Sequence, residues 1–323
     1  MTYDVIGDIH GHAEELRTLL RRLGYEERNG CYVAEGRNAI FVGDFIDRGP
    51  AIREVLQIAR AMVSRNGAYA VLGNHEFNAL CYHTPDRAGS FLRPHSAKNA
   101  HQHQATVDQL VLPYPEEWRS YLQWFKDLPL FLEIDGLRVV HAAWDENAIR
   151  LVRGRSFYDP DFLAAAATKG TPEFTAVETL LKGPEIKLPD GQMCTDKDGT
   201  ERGDMRIAWW QSRKRKKHLR YCDIAVPSAA DIPAIAVPPD VLRSLPSYGR
   251  REPPVIFGHY WFVPNTPQVL ERNVACIDYS VAKDGFLAAY SWSGEKQLNP
   301  KHFTIAVPDL KSAKRATLFQ GNQ

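Results

Sequence analysis

Apolar and polar positions along this 323-residue chain follow two periods. Short apolar runs at residues 3–6, 39–42 and 68–72 read as buried strands. Between them, apolar residues recur every three or four positions. Leu16, Leu19, Leu20 and Leu23 fall at i, i+3, i+4 and i+7 and predict a helix packed on a sheet, with Gly24 as its C-terminal cap. Asn29-Gly30 predicts a hairpin turn into a strand at 31–34. Pro50 is expected to open a second helix at its tolerated first turn, with Ile52, Val55, Leu56, Ala59, Met62 and Val63 on the buried face. Strand, helix, strand, helix, strand predicts an α/β fold with a parallel sheet.

Further along, residues 83–115 are less regular and hold His83, His95, His101 and His103, read as exposed loop histidines with metal binding as the alternative. Trp118, Tyr121, Leu122 and Phe125 predict a helix that ends before Pro129. Runs at 130–134 and 137–140 around Asp135-Gly136 predict a hairpin that delivers His141. From about 150 to 250 the alternation fades while lysine, proline and arginine rise. Short helices are expected at 162–167 and 175–181, turns at Pro189-Asp190-Gly191 and Asp198-Gly199, and a strand at 205–210. The regular pattern resumes at Pro254, with strands at 255–257, 274–279, 286–292 and 303–307. The expected organisation is one catalytic domain over 1–310, interrupted by an insertion or cap at about 150–250, then a polar tail at 311–323.

Composition narrows the function. Apolar content of 44% and charged content of 24% are those of a globular protein, and a net charge of +1 gives no global field for nucleic acid or membrane. No apolar run is long enough to predict a transmembrane helix, and the first residues lack a basic segment followed by an apolar one. Cys31, Cys81, Cys194, Cys222 and Cys276 are scattered, with no CxxC, which predicts reduced thiols in a cytoplasmic protein and no thiolate metal site.

The chemistry sits where the strands end. Gly7-Asp8-Ile9-His10-Gly11, Gly43-Asp44-Phe45-Ile46-Asp47-Arg48-Gly49 and Gly73-Asn74-His75-Glu76 each follow one of the first three strands and precede a helical pattern. An open α/β sheet places its ligand site at such carboxyl ends. The donors are oxygen and imidazole, which suit hard or borderline divalent cations. Two such ions about 3.5–4 Å apart activate water and neutralise a phosphate. Asp44, on the middle strand, is the natural bridge; Asp8 and His10 would serve one ion, and Asn74, His141 and His259 the other. His75 and Asp47 are the candidate acid, because a carboxylate orients an imidazole and stabilises its protonated form. Arg48 has the planar fork that grips phosphate oxygens. Any one motif alone has a plainer reading. Asp-x-His is common at surfaces, Asp47-Arg48 could be a surface ion pair, and Asn-His-Glu could only cap a helix. The threefold recurrence in one context favours the metal reading.

Together these blocks resemble the signature of the phosphoprotein-phosphatase branch of the calcineurin-like metallophosphoesterases. The likeness covers about 3–82, 128–144 and 254–279, and the opening is most similar to bacterial members such as symmetrical diadenosine tetraphosphatases and the phosphatase module of polynucleotide kinase-phosphatases. It implies a four-layer α/β/β/α sandwich and supports the ligands named above. One departure is Ala142-Ala143 after His141, where the family often has glycine.

The expected function is a dinuclear-metal phosphoesterase acting on phosphate esters or anhydrides. Manganese is the first expectation for the metal, while iron, zinc and nickel fit the same donors. The substrate is a phosphorylated small molecule, nucleotide or phosphopeptide, with a 2′ or 3′ phosphate of nucleic acid as a further option. The alternatives are a symmetrical dinucleoside tetraphosphatase and a catalytically silent scaffold that binds metal or a phosphorylated partner. Within the insertion, Arg206 is a candidate second phosphate clamp against the plainer reading of an edge-strand arginine. Trp209 and Trp210 are candidates for base stacking, although a core role for at least one is expected. The basic run at 213–217 would hold a polyanion or form a solvated loop.

Overall fold

The computed structural model describes residues 1–195, 201–211, 219–226, 231–262 and 266–307. The expected turn at Asp198-Gly199, the basic run at 213–217 and the tail at 311–323 lie outside them.

Two sheets face each other, and the period-2 alternation of their strands explains why. In the first, Asp278–Tyr279, Phe286–Trp292, Thr2–Ile6, Arg37–Phe41 and Tyr69–Ala70 pair in that order, and Phe303–Ala306 also pairs with Phe286–Trp292. The second runs Val269–Glu271, Val274–Cys276, Val255–Phe257, Leu137–Val140, Phe131–Ile134. Tyr3, Val5, Ile40, Val42 and Val71 from the first sheet meet Leu137, Val139, Ile256, Ala275 and Ile277 from the second in one buried layer. The alternate residues Ile6, Ala39, Phe41, Val140, Phe257 and Cys276 join the larger core shared with the helices. Strands apolar on both faces thus form a four-layer α/β/β/α sandwich.

The helices follow the expected pattern. Leu16, Leu19 and Leu20 are buried on α1 (Ala13–Arg22), and Gly24 follows it with φ 88°. Helix α2 (Ile52–Asn66) buries Ile52, Val55, Leu56, Ala59 and Met62. It begins two residues after Pro50, so the proline shapes the approach rather than occupying the first turn. Helix α3 (Asn74–His83) starts on the third motif. Residues 83–115 are more ordered than expected: α4 (Ala97–Thr106) runs into a π-helical turn (Val107–Val111), and α5 (Pro115–Asp127) follows. Helices α6 (Glu146–Val152), α7 (Pro160–Ala167) and α8 (Pro172–Lys182) pack into the main core through Ile149, Leu163, Val177 and Leu180.

Beyond Gly183 a separate small cluster forms around Leu188, Met205, Ile207, Tyr221, Ile224 and Leu245. The strand expected at 205–210 is shorter, Asp204–Arg206, paired with Glu185–Lys187. The run expected as one strand at 274–279 divides, because Ile277 carries the chain from one sheet to the other. No helix among the described residues is long and apolar enough to cross a membrane.

Candidate active site

The strands Thr2–Ile6, Arg37–Phe41 and Tyr69–Ala70 are parallel neighbours, as are Leu137–Val140 and Val255–Phe257 in the other sheet. The three motifs leave the first set at its carboxyl edge, and His141 and His259 leave the second. Asp8, His10, Asp44, Asn74, His141 and His259 are all buried. Closeness is achieved with strained backbone. His10 (φ 45°), Asp44 (54°), Asp47 (66°), Arg48 (70°) and His259 (70°) all occupy the left-handed region, unusual for residues other than glycine and concentrated at functional sites. Gly73 is dictated by space, since a Cβ there would overlap the Asp44 backbone and carboxylate.

Asp44 lies between two sets of imidazoles. Its Oδ2 is 3.5 Å from His10 Nε2 and 3.9 Å from His75 Nε2, and its Oδ1 is 3.5 Å from His141 Nε2. His10 Nδ1 lies 2.9 Å from the Ile46 carbonyl and His141 Nδ1 2.7 Å from that of Val42. A carbonyl only accepts, so Nδ1 carries the proton and each Nε2 turns its lone pair inward. His141 Nε2 then faces Asp44 Oδ1 and, at 3.0 Å, Asn74 Oδ1. Such a gathering of acceptors needs a cation or a proton. Without a cation the answer is a proton: burial opposes it, yet the charge of Asp44 lifts the His141 pKa to about 10. For His10 the charge of Asp44 acts in the same direction but is outweighed. Burial, and then His75, drive its pKa well down, and its Nε2 has no hydrogen-bond partner among the described residues.

Donor atoms within 4.8 Å of one another form two triads that share Asp44: His10–Asp44–His75 and Asp44–His141–His259. Asp8 belongs to neither triad. It joins the site through Oδ2, which accepts from the His259 amide at 3.0 Å, while its buried Oδ1 has no hydrogen-bond partner among the described residues. Burial, then the charge of Asp278, push its pKa well up. Orphaned lone pairs on Asp8 and His10 around a shared carboxylate fit divalent cations.

Next to this centre stands a dyad. His75 Nδ1 is 2.5 Å from Asp47 Oδ2, which leaves Nε2 facing the centre. Asp47 Oδ1 accepts from His103 Nδ1 at 2.8 Å and from Thr106 Oγ1 at 2.5 Å. Burial works against the charge, but the hydrogen bonds from His103 and His75 hold the Asp47 carboxyl well below its ordinary pKa. His103 Nε2 in turn lies 3.1 Å from His83 Nε2. The reading of exposed loop histidines therefore fails for His103, which is 5% exposed. The missed signal was spacing: His103 and Thr106 are i and i+3, so one face of α4 meets Asp47.

Glu76 was under-read as well. It is fully buried, and its Oε2 accepts from the amides of Asp44 (2.8 Å) and Gly73 (3.2 Å). Its Oε1 accepts from Phe45 (2.9 Å) and Ile46 (3.3 Å). One carboxylate thus ties the second motif to the third. The Arg48 guanidinium lies 3.9 Å over the Trp261 ring, a platform that no sequence pattern announced.

Asp44, Asp47, Arg48, Asn74, His75 and His259 open into a cavity of about 350 Å³. Arg206 also lines it, 3.6 Å from Glu185. Trp209 and Trp210 do not stack in the open. They are 1% and 6% exposed and pack on Phe257 and Tyr260, so both belong to the core.

Comparison with known proteins addresses the family and the fold. A bis(5′-nucleosyl)-tetraphosphatase PrpE (asymmetrical) from Halalkalibacterium halodurans is 35% identical over 156 residues, 46% of this chain and 60% of that protein. Its Bacillus subtilis counterpart is 32% identical over 149 residues, 44% of this chain and 57% of that protein. The chain thus covers less than two thirds of these relatives' length. A protein serine/threonine phosphatase from Saccharomyces cerevisiae shares the fold, with a TM-score of 0.50 and 14% identity over 94% of this chain and 78% of that one. Residues 1–174, more than half of the chain and including all three motifs, match the calcineurin-like phosphoesterase family, to which this chain belongs.

Proposed function

We propose that this chain is a dinuclear-metal-dependent phosphohydrolase with one catalytic domain, into which the segment beyond Gly183 is inserted. The observation that carries the reading is the two-sided Asp44 carboxylate, with His10 on one side and His141 on the other. Asp44 would be shared by both ions, Asp8 and His10 would help hold one, and Asn74, His141 and His259 would hold the other. The ions, manganese by preference for this oxygen and nitrogen donor set, supply Lewis acidity and an activated water. The protein does the rest. Arg48, steadied on Trp261, grips the phosphate oxygens, and Asn74 contributes a neutral oxygen without added repulsion. His75, oriented by Asp47, delivers a proton from Nε2 to the leaving oxygen. Arg206 lines the same cavity and is kept as a secondary phosphate contact, with Glu185 drawing off part of its charge.

The substrate is a phosphate monoester or a phosphoanhydride. The second reading is a dinucleoside tetraphosphatase, favoured by the names of the bacterial relatives, which specify the asymmetrical reaction. Five free cysteines, four of them buried, support a reducing, cytoplasmic setting.

The test is turnover by manganese-loaded protein of p-nitrophenyl phosphate, a phosphothreonine peptide, diadenosine tetraphosphate and a 3′-phosphorylated oligonucleotide, with Asp44→Asn as control. Turnover lost in Asp44→Asn together with bound metal supports the reading. Metals bound without turnover of any substrate would leave a silent scaffold, and a fully active Asp44→Asn would refute the bridging assignment.

A further inference from the structure

The cations that line the cavity are held in different ways. Lys182 is paired with Glu178 at 2.5 Å and Arg206 faces Glu185. Arg93, half-buried on the same wall, has no carboxylate within 4.0 Å among the described residues. Neutral amides hold it instead: one terminal nitrogen donates to Asn78 Oδ1 at 2.7 Å and the other to Gln102 Oε1 at 3.0 Å. A guanidinium has five N–H donors, so three remain for a ligand.

The segment that carries Arg93 is pinned in place. The Arg93 amide donates to the Cys81 carbonyl and that of Leu92 to Thr84. His95 is sandwiched between Phe91 (4.0 Å) and Tyr82 (3.8 Å), with Nε2 2.8 Å from the Tyr82 carbonyl. His95 is exposed, as the sequence reading expected, and the stack fixes its ring. The fork therefore has a set position, and Asn78 locates it. Asn78 is one helical turn beyond Asn74 on the same face of α3, a step of about 5–6 Å between Cβ atoms. The hydrogen bonds of Arg93 go only to amides, and burial lowers its pKa although Glu178 and Asp47 act on it from beyond ion-pair distance. A full charge held this way is costly to keep as a mere tether. It is well suited to an anion from outside.

We propose that Arg93 forms an anion subsite one turn along α3 from Asn74, for a phosphate linked to the one held at the Asp44 centre. The substrate class is then a compound with two or more consecutive phosphates, and Lys98, exposed at the start of α4 on the same wall, adds charge to the subsite. This rests on the hydrolase reading above, and Arg93 lies outside all three motifs.

The test is calorimetric binding of orthophosphate and of the non-hydrolysable imidodiphosphate to manganese-loaded protein. Wild type binds imidodiphosphate more tightly. Arg93→Gln weakens imidodiphosphate binding about ten-fold or more and leaves orthophosphate within about two-fold. Arg93→Lys keeps charge and stem but loses the fork, and recovers only part of the affinity. It carries the test should Arg93→Gln unfold. Equal weakening of both probes, or of neither, would overturn the subsite. So would a wild type that binds orthophosphate and shows no preference for imidodiphosphate, with the hydrolase reading intact. A wild type that binds neither probe and hydrolyses no phosphate removes the hydrolase reading, and the subsite with it.

Discussion

Replacing Glu76 by glutamine separates two roles: the helix-capping residue of the plain sequence reading, or the tie between the second and third motifs that the structure shows. The carboxylate accepts four buried amides, two on each oxygen. Glutamine offers one acceptor oxygen and turns its NH2 toward the other pair, which leaves two buried donors facing a donor. An unsatisfied buried donor costs about 1–3 kcal/mol, so the substitution should cost about 2–6 kcal/mol. Loss of a helix cap alone costs about 1 kcal/mol. Burial, then the charge of Asp44, push the Glu76 pKa up to about 7, so the comparison belongs at about pH 8, where the carboxylate is ionised. Urea unfolding of the metal-free proteins, extrapolated linearly to water, gives the difference. A loss of about 1 kcal/mol or less, with metal affinity unchanged, would refute the tie and return Glu76 to the capping role.

Other perturbations probe the dyad and its neighbours. His75→Asn should keep the metals yet slow phenyl phosphate by about 10²-fold or more while sparing p-nitrophenyl phosphate, whose leaving group needs no proton. His103→Leu should give a weaker form of the same split, because Asp47 loses one donor that fixes its orientation; equal losses on both substrates would contradict an acid at this position. His83 carries a pH prediction. Burial, then His103, lower its folded pKa to about 4, below the unfolded value of 6.5. The fold therefore favours the neutral ring, and that contribution is complete above pH 6.5 and is lost as pH falls toward 4. Discounted for its partial exposure, the loss is about 1 kcal/mol between pH 7 and 5. Metal-free His83→Gln should lack that part of the acid destabilisation, and an unchanged pH slope would show that His83 is protonated alike in both states.

The sequence by itself determined the parallel strands near the site, the three motifs and the pair of late histidines at strand ends. Those depend on local signals: apolar runs of strand length, helical spacing, and ligand residues immediately after strands. It also placed His75 beside Asp47 in chemistry, if not in distance. What the tertiary structure decided is everything that needs two distant segments to meet. Thr106 and His103 reach Asp47 only because α4 folds back across the second motif, and Trp261 supports Arg48 from more than two hundred residues away. Trp209 and Trp210 look alike as stacking platforms or as core until their neighbours are known, and Phe257 and Tyr260 settle them as core. The left-handed backbone at His10, Asp44 and His259 is likewise invisible in sequence, since these residue types have no local preference strong enough to announce it. It is imposed by the two sheets, whose packing brings both sets of imidazoles to one carboxylate.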